Sequence, residues 1–122
     1  MNDIQKSKST MNKRAVGSHY EELATAYLLK KDYLILEHNF RCRSGEIDII
    51  ARDHEYIVFI EVKYRKTRAF GYPREAVTYQ KQQHIIRTAQ YFLTVKIGYE
   101  LPCRFDVIEI LDDQITHLEA AF

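Results

Sequence analysis

Two stretches of the chain repeat their apolar residues at the spacing of an amphipathic α-helix. The first predicts a helix over about residues 18–31, with an apolar face formed by Tyr20, Leu23, Ala24, Tyr27 and Leu28. The second predicts a helix over about residues 74–95, with an apolar face formed by Val77, Ile85, Ala89 and Phe92. Gly98 and Pro102 follow the second helix and are expected to end it, because proline cannot continue a helix and glycine leaves it readily.

Five shorter segments have the composition of β-strands, at about residues 34–40, 45–52, 57–64, 104–111 and 115–118. In the third of them the four residues from Ile57 to Ile60 are all apolar, although successive side chains point to opposite faces. Such a run predicts a central strand that is covered on both sides. The order helix, three strands, helix, two strands predicts an α/β fold in which helices flank a mixed β-sheet.

The apolar run connects two acidic motifs, Gly45-Glu46-Ile47-Asp48 and Glu61-Val62-Lys63. If residues 53–56 form a four-residue hairpin loop, Arg52 pairs with Ile57 and Asp48 falls opposite Glu61. Directly opposed side chains have Cβ atoms roughly 4.5 to 5.5 Å apart, which is close enough for two carboxylates to share one ion. A loop one residue shorter or longer would break this register, so the opposition of the two acids is a hypothesis.

Two carboxylates followed by a lysine suit metal-dependent hydrolysis of a phosphodiester. Mg²⁺ is the expected cofactor, with Mn²⁺ as a possible substitute, because Mg²⁺ prefers oxygen ligands and is usually held by one or two carboxylates plus phosphate. Lys63 lies on the same strand face as Glu61, where it could orient or deprotonate a water or offset transition-state charge. Glu46 could complete the metal shell. The alternative is that these charged residues form a solvated patch of cross-strand ion pairs.

The two motifs resemble the PD-(D/E)xK nuclease superfamily, and the whole chain resembles the small bacterial YraN family, which is similar to archaeal Holliday-junction resolvases. The matching segments are residues 21–24, 27–28, 39–41, 45–51, 59–65, 70–71, 75–77, 104–107 and 121–122, together with Lys81 and Ala89. The resemblance implies a restriction-endonuclease-like core of order αβββαβ. It also implies that Asp48 and Glu61 are metal ligands and that Lys63 is the catalytic lysine. Ile47 stands where the superfamily has the proline of its name.

Resolvases also use a glutamate on the first helix, and Glu21 is the position in this chain that matches it. The spacing Ser18-His19-Tyr20-Glu21 is equally that of a capping box, in which a glutamate only closes the start of a helix. Both interpretations of Glu21 stay open.

The charge distribution predicts a nucleic-acid-binding surface, although the net charge of the 122 residues is only +1. Six of the acids lie in residues 100–122, where Arg104 is the sole lysine or arginine, so the rest of the chain is basic. Two basic clusters flank the acidic motifs in sequence and are predicted to contact a phosphate backbone: Arg41 and Arg43, and Arg65, Lys66 and Arg68. Lys81 is a further candidate, because it shares a helix flank with His84 and Arg87.

The length predicts one domain, over residues 13–122, preceded by a flexible basic leader at residues 1–12. No run of apolar residues is long enough to span a membrane and the leader has no apolar signal core, so we expect a cytoplasmic protein without a membrane partner. Cys42 and Cys103 lack the spacing of a zinc site and are expected to be free thiols.

The function expected from these features is a metal-dependent endonuclease that cuts DNA at branched or single-strand-containing structures. We expect it to act as a homodimer, since a branched junction presents two symmetry-related strands and resolvases work as dimers. The alternative is a non-catalytic nucleic-acid-binding or adaptor module that keeps the nuclease fold.

Overall fold

The structure, a computed structural model, describes residues 19–65 and 77–122. The leader at residues 1–12, the loop expected at residues 67–73, Lys66 and Arg68 therefore lie outside the described residues, as does Ser18 of the capping-box pattern. Within the two described ranges, none of the helices has the length and apolar character that crossing a membrane requires.

Five strands form one sheet in the order in which they follow along the chain. The elements are helix α1 (residues 19–30), β1 (Leu34–Cys42), β2 (Gly45–Asp53), β3 (Tyr56–Arg65), α2 (Tyr79–Phe92), β4 (Cys103–Leu111) and β5 (Gln114–Leu118). Neighbouring strands are antiparallel except β3 and β4, which run parallel because α2 carries the chain back between them. The predicted α/β fold with a mixed sheet is confirmed, and it is consistent with a restriction-endonuclease-like core.

The sheet separates two hydrophobic cores, and β3 contributes to both. Ile57 and Phe59 pack with the apolar face of α2, whereas Val58 and Ile60 pack on the other side with Ala24 and Leu28 of α1. All four β3 side chains are buried, as expected for a central strand. Burial of the strand on both faces leaves its carboxyl end as the place where polar side chains emerge.

The β2–β3 hairpin has the register that the sequence predicts. Arg52 pairs with Ile57. The connection itself is a two-residue turn, His54 and Glu55, rather than a four-residue loop, because Asp53 and Tyr56 also pair. The difference removes one residue from each side of the loop, so the register on either side of it is unchanged.

Helix α2 begins later than the sequence pattern indicates. Thr78 is its N-cap, and the Thr78 hydroxyl accepts a hydrogen bond from the backbone N–H of Lys81. Val77 therefore lies outside the helix, although it is buried against the same core, and the expected start near residue 74 is wrong. Threonine caps a helix well because its side chain satisfies one of the first unpaired N–H groups. At the other end the helix continues as a π-helical turn, Leu93–Ile97, and Gly98 ends it with φ of 81°.

Ion pairs take up several acids of the C-terminal segment. Arg104 contacts Asp106 at 3.1 Å, Asp53 at 2.9 Å and Glu119 at 2.8 Å. His117 adds a 2.7 Å contact to the buried Asp106. Burial alone would raise the pKa of Asp106, but the hydrogen bonds from His117 and Arg104 hold it below its usual range. Asp106 is therefore a buried partner of Arg104 and His117, whereas Glu119 pairs with Arg104 at the surface.

Candidate active site

The strands β2 and β3 separate at Asp48. Their ladder ends at the pair Ile49–Ile60, and one step further the same register places Asp48 opposite Glu61. At that step the Asp48 Oδ2 atom accepts a 2.8 Å hydrogen bond from the backbone N–H of Val62. The Asp48 carboxylate thus takes the place of the backbone carbonyl that would accept this hydrogen bond in a continuous ladder. The hydrogen bond directs the carboxylate into the gap between the two strands.

The alternation of β2 also changes at this point. Ile47 packs in the core beneath α2, but Ile49 packs in the core beneath α1, although residues two apart in a strand normally share a face. On the neighbouring strand, Asn39 lies opposite Asp48, between the pairs His38–Ile49 and Phe40–Ile47, and has a left-handed φ of 51°. Asparagine tolerates this conformation better than most residues. The irregular backbone of both strands is centred on Asp48.

Glu61 is bracketed by two lysines. Only 4% of its side chain is exposed, and its Oε2 atom lies 3.8 Å from Nζ of Lys63 and 3.1 Å from Nζ of Lys81. Lys63 comes from the same strand face, whereas Lys81 reaches the acid from the first turn of α2. Lys81 thus links the first turn of α2 to the carboxyl end of β3.

The acids and amines strongly perturb each other. Burial, followed by the negative charge of Glu61, raises the pKa of Asp48 to about 7, against the hydrogen bond from Val62. Burial, followed by the charge of Lys81, lowers the pKa of Lys63. Burial is the largest effect on Lys81 and would lower its pKa, but the charge and hydrogen bond of Glu61, with smaller contributions from Lys63 and Asp48, together raise that pKa. Groups with perturbed pKa values that share a cleft are typical of catalytic sites.

A second pair of acids lies beside the first. With its side-chain nitrogen turned toward the carboxylates, Asn39 donates hydrogen bonds to Glu21 Oε1 at 3.0 Å and to Glu46 Oε1 at 3.1 Å. Glu46 also contacts Nε of Arg41 at 3.1 Å. The negative charge of Glu21 contributes to the raised pKa of Asp48, so Glu21 lies within electrostatic range of that acid. Asn39 therefore links α1, β1 and β2 next to the site.

Gly45 allows α2 to lie close to the start of β2. A Cβ atom there would lie 3.3 Å from the Thr88 hydroxyl and 3.6 Å from the Cβ atom of His84, and the φ of 151° at Gly45 is one that side-chain-bearing residues rarely adopt. Between these elements is a groove of about 370 Å³ lined in part by Glu46, Thr78 and Lys81. Lys81, which lines the groove, also contacts Glu61.

The residues predicted to contact DNA occupy different environments. Arg43 is exposed in the β1–β2 turn, and the side chain of Arg41 is exposed although it pairs with Glu46. Arg65 is only 11% exposed, with Nε 3.1 Å from Oε2 of the fully buried Glu109. Lys81 lies at the acids and not on an open helix flank. Among the members of this set that lie in the described residues, Arg41, Arg43 and Lys81 are the ones with solvent access.

The donor set fits a Mg²⁺ ion held partly by water and phosphate. No group of three or more His, Cys, Asp or Glu side chains that could hold a metal occurs within residues 19–65 and 77–122. Mg²⁺ does not need such a cage, since one or two carboxylates with water and phosphate are its usual ligands. Burial and, after it, the negative charge of Glu61 raise the pKa of Asp48, and a cation shared by the two carboxylates would offset both effects.

Sequence patterns alone did not reveal the placement of Asn39 or Lys81. Asn39 belongs to a segment quoted for its family resemblance, but its link between Glu21 and Glu46 depends on a left-handed residue within a strand. Lys81 was predicted to contact DNA from the helix flank. The signal that could have placed it near the sheet is its spacing, because Lys81 precedes the buried Ile85 by four residues and so lies on the inward face of α2.

Comparison with known proteins identifies the family. Residues 20–110 match the uncharacterised protein family UPF0102. The chain belongs to this family. A UPF0102 protein of Lachnoclostridium phytofermentans is 48% identical over 113 residues, covering 92% of this chain and 96% of the relative. One from Thermodesulfovibrio yellowstonii is 50% identical, covering 88% and 95% of the two chains, and one from Clostridium perfringens is 52% identical, covering 80% of each.

The predicted membership of the YraN family is confirmed, since UPF0102 is that family. The UPF0102 names state no activity, substrate or cofactor. The chemistry of this UPF0102 protein must therefore be argued from the geometry around Asp48 and Glu61.

Proposed function

We propose that the protein is a metal-dependent endonuclease that hydrolyses phosphodiester bonds in DNA, at branched or otherwise distorted structures. One observation carries the proposal: Asp48, Glu61 and Lys63 converge where β2 and β3 separate, with Asp48 fixed by the N–H of Val62. The resemblance to PD-(D/E)xK nucleases supports the same assignment, because it matches these three residues to two metal ligands and the catalytic lysine.

Each residue has a defined part in this proposal. Asp48 and Glu61 would hold Mg²⁺ or Mn²⁺, which would polarise the scissile phosphoryl group and lower the pKa of a water. Lys63 is aimed at the same place, and burial lowers its pKa, which favours the neutral amine that can accept a proton from water. In its charged form it stabilises negative charge on the phosphate. Glu21 and Glu46, held by Asn39, add negative charge beside the metal position.

The substrate assignment rests on the solvent-accessible cations around the site. Arg43 lies in the β1–β2 turn, Arg41 lies at the end of β1, and Lys81 lines the groove beside Glu46. A phosphate backbone laid along this groove would pass from these cations to the acids. Binding through such contacts depends on salt concentration more than on base sequence.

Incubation with defined DNAs tests the proposal. Four-way junction, flap, single-stranded and duplex DNA are each incubated with the purified protein in Mg²⁺, in Mn²⁺ and in a chelator. We expect metal-dependent cleavage that is fastest on the branched or flapped DNA. An Asp48→Asn protein is run in parallel, and cleavage by that variant would reveal a contaminating nuclease. Absence of cleavage on every DNA and in both metals would refute the enzyme assignment.

A non-catalytic nucleic-acid-binding or adaptor module is the second candidate. The observation that favours it is that Glu61 already has two ammonium partners and so is neutralised without a metal. If this alternative holds, the protein binds junction DNA with equal affinity in Mg²⁺ and in chelator and releases it uncut. The same incubations, read as band shifts, distinguish the two functions.

We further propose that a homodimer forms on branched DNA, since one site in a 14.5 kDa chain cuts one strand per encounter. The apolar residues near the C-terminus are not a free interface: Leu118 and Phe122 pack against the α2-side core and Ile115 against the α1-side core. Sedimentation of the protein alone and with a four-way junction should show two chains per junction. A single bound chain that still cuts both strands would contradict the paired arrangement.

A further inference from the structure

Lys81 and Lys63 approach the same carboxylate oxygen, but they are held differently. Nζ of Lys81 lies 3.1 Å from Oε2 of Glu61, closer than the 3.8 Å of Lys63, although 45% of the Lys81 side chain is exposed and only 26% of that of Lys63. Lys63 is fixed by its position on the central strand. Lys81 extends from the first turn of α2 along the groove and has solvent beside it.

The exposed lysine can therefore leave the acid at little cost. Half-exposed ion pairs contribute little net free energy, because water competes for both charges. The buried carboxylate, in contrast, needs a cation nearby, because an unpaired charge in a buried position is costly. Glu61 thus requires a positive partner, and Lys81 is the partner that can be exchanged for another.

We propose that Lys81 is an exchangeable counter-ion of Glu61, neutralising this acid in the metal-free protein and competing with a divalent cation for it. The inference rests on the proposed function, and it deepens it by coupling the metal to the substrate. When Lys81 leaves Glu61, its ammonium becomes available to a phosphate in the adjoining groove. By linkage, DNA phosphates that attract Lys81 strengthen metal binding, and a bound metal strengthens DNA binding by the same factor.

Direct measurement of Mn²⁺ affinity tests the competition. Free Mn²⁺ is measured by electron paramagnetic resonance at pH 8.5. This pH lies above the pKa of Asp48, which is raised to about 7, so Asp48 is mostly ionised. Wild type, Lys81→Met and Arg87→Met are titrated. Arg87→Met is the matched control, because it removes one positive charge from the exposed side of the same helix. We expect Lys81→Met to bind Mn²⁺ about fivefold more tightly than wild type, and Arg87→Met to stay within about twofold.

Lys81→Arg keeps a cation at Glu61 and guards against effects of altered helix packing. It should bind Mn²⁺ no more tightly than wild type. Lys81→Met that binds Mn²⁺ equally or more weakly than wild type overturns this inference alone. Absence of Mn²⁺ binding by wild type and Lys81→Met alike overturns the proposed metal site as well. Binding by Lys81→Met but not by wild type supports the competition.

Discussion

Asp48→Asn is expected to stabilise the metal-free protein at pH 8, by on the order of 4 kcal/mol as an upper limit. The reason is that Asp48 is buried beside Glu61, so its carboxylate is ionised at a cost that the amide does not have. Asparagine keeps an oxygen that can accept the hydrogen bond from the N–H of Val62. In a domain of this size, that upper limit corresponds to a rise in melting temperature of roughly 15 °C.

The stabilisation should depend on pH in a defined direction. The pKa of Asp48 is about 7 in the folded protein and 3.8 as its ordinary value, so the folded state holds the proton more tightly. Stability of the wild type therefore falls as pH rises from about 4 to about 7, and the loss is complete above that range. Thermal melts of wild type and Asp48→Asn should differ most at pH 8 and converge at pH 4.

Asp113→Asn is the matched control, because it makes the same change in the exposed β4–β5 turn. Its melting temperature should stay close to that of wild type at both pH values. Added Mg²⁺ should narrow the difference: a concentration a hundredfold above Kd stabilises the wild type by about 2.7 kcal/mol, and Asp48→Asn gains little. Equal melting temperatures for wild type and Asp48→Asn at pH 8 without metal would show that the two acids do not repel each other.

Lys63→Ala should lower the rate of DNA cleavage by at least about 100-fold while leaving DNA affinity within about twofold of wild type. Lys63 is aimed at Glu61 and is mostly shielded from solvent. We therefore expect it to contact the reacting phosphate and not the other phosphates along the bound DNA. The dependence of binding on salt should change by about one unit of slope at most. Single-turnover cleavage and band shifts on the same junction measure the two effects separately.

Lys30→Ala provides the comparison, since it removes an exposed lysine at the end of α1, away from the acids. It should cut DNA at nearly the wild-type rate. Lys63→Arg keeps the charge but not the lowered pKa, so partial activity in that variant would favour charge stabilisation, and none would favour proton transfer. Cleavage by Lys63→Ala at the wild-type rate would remove Lys63 from the mechanism.

Most of the fold was predictable because local patterns and global packing agree. The period of the apolar residues predicts both helices and all five strands, and the hairpin register follows from the turn between residues 53 and 56. The start of α2 was not predictable from periodicity, because buried Val77 continues the apolar pattern just before the Thr78 cap. Apolar spacing reports burial, and a residue can be buried in front of a helix as well as within it.

The candidate site was predictable in part. Asp48, Glu61 and Lys63 stand out in the sequence because a central strand rarely carries charges, and a hairpin of fixed length brings the first acid to the second. Arg65 was expected to contact DNA, but it pairs with Glu109, which lies on the neighbouring parallel strand more than 40 residues later. Pairing between parallel strands depends on how α2 returns the chain, and no short-range pattern encodes it.

The sequence by itself determined which strand is central, which acids face each other across the hairpin and which family the chain resembles, because all three depend on neighbours along the chain or on motifs. Only the tertiary structure decided that Lys81 neutralises Glu61, that Asn39 joins Glu21 to Glu46 and that Arg65 pairs with the buried Glu109. These contacts join elements far apart in sequence. The distances between these side chains depend on how the helices and the sheet pack. A difference of a few ångströms decides whether a charged side chain is solvated or pairs with a group in the site.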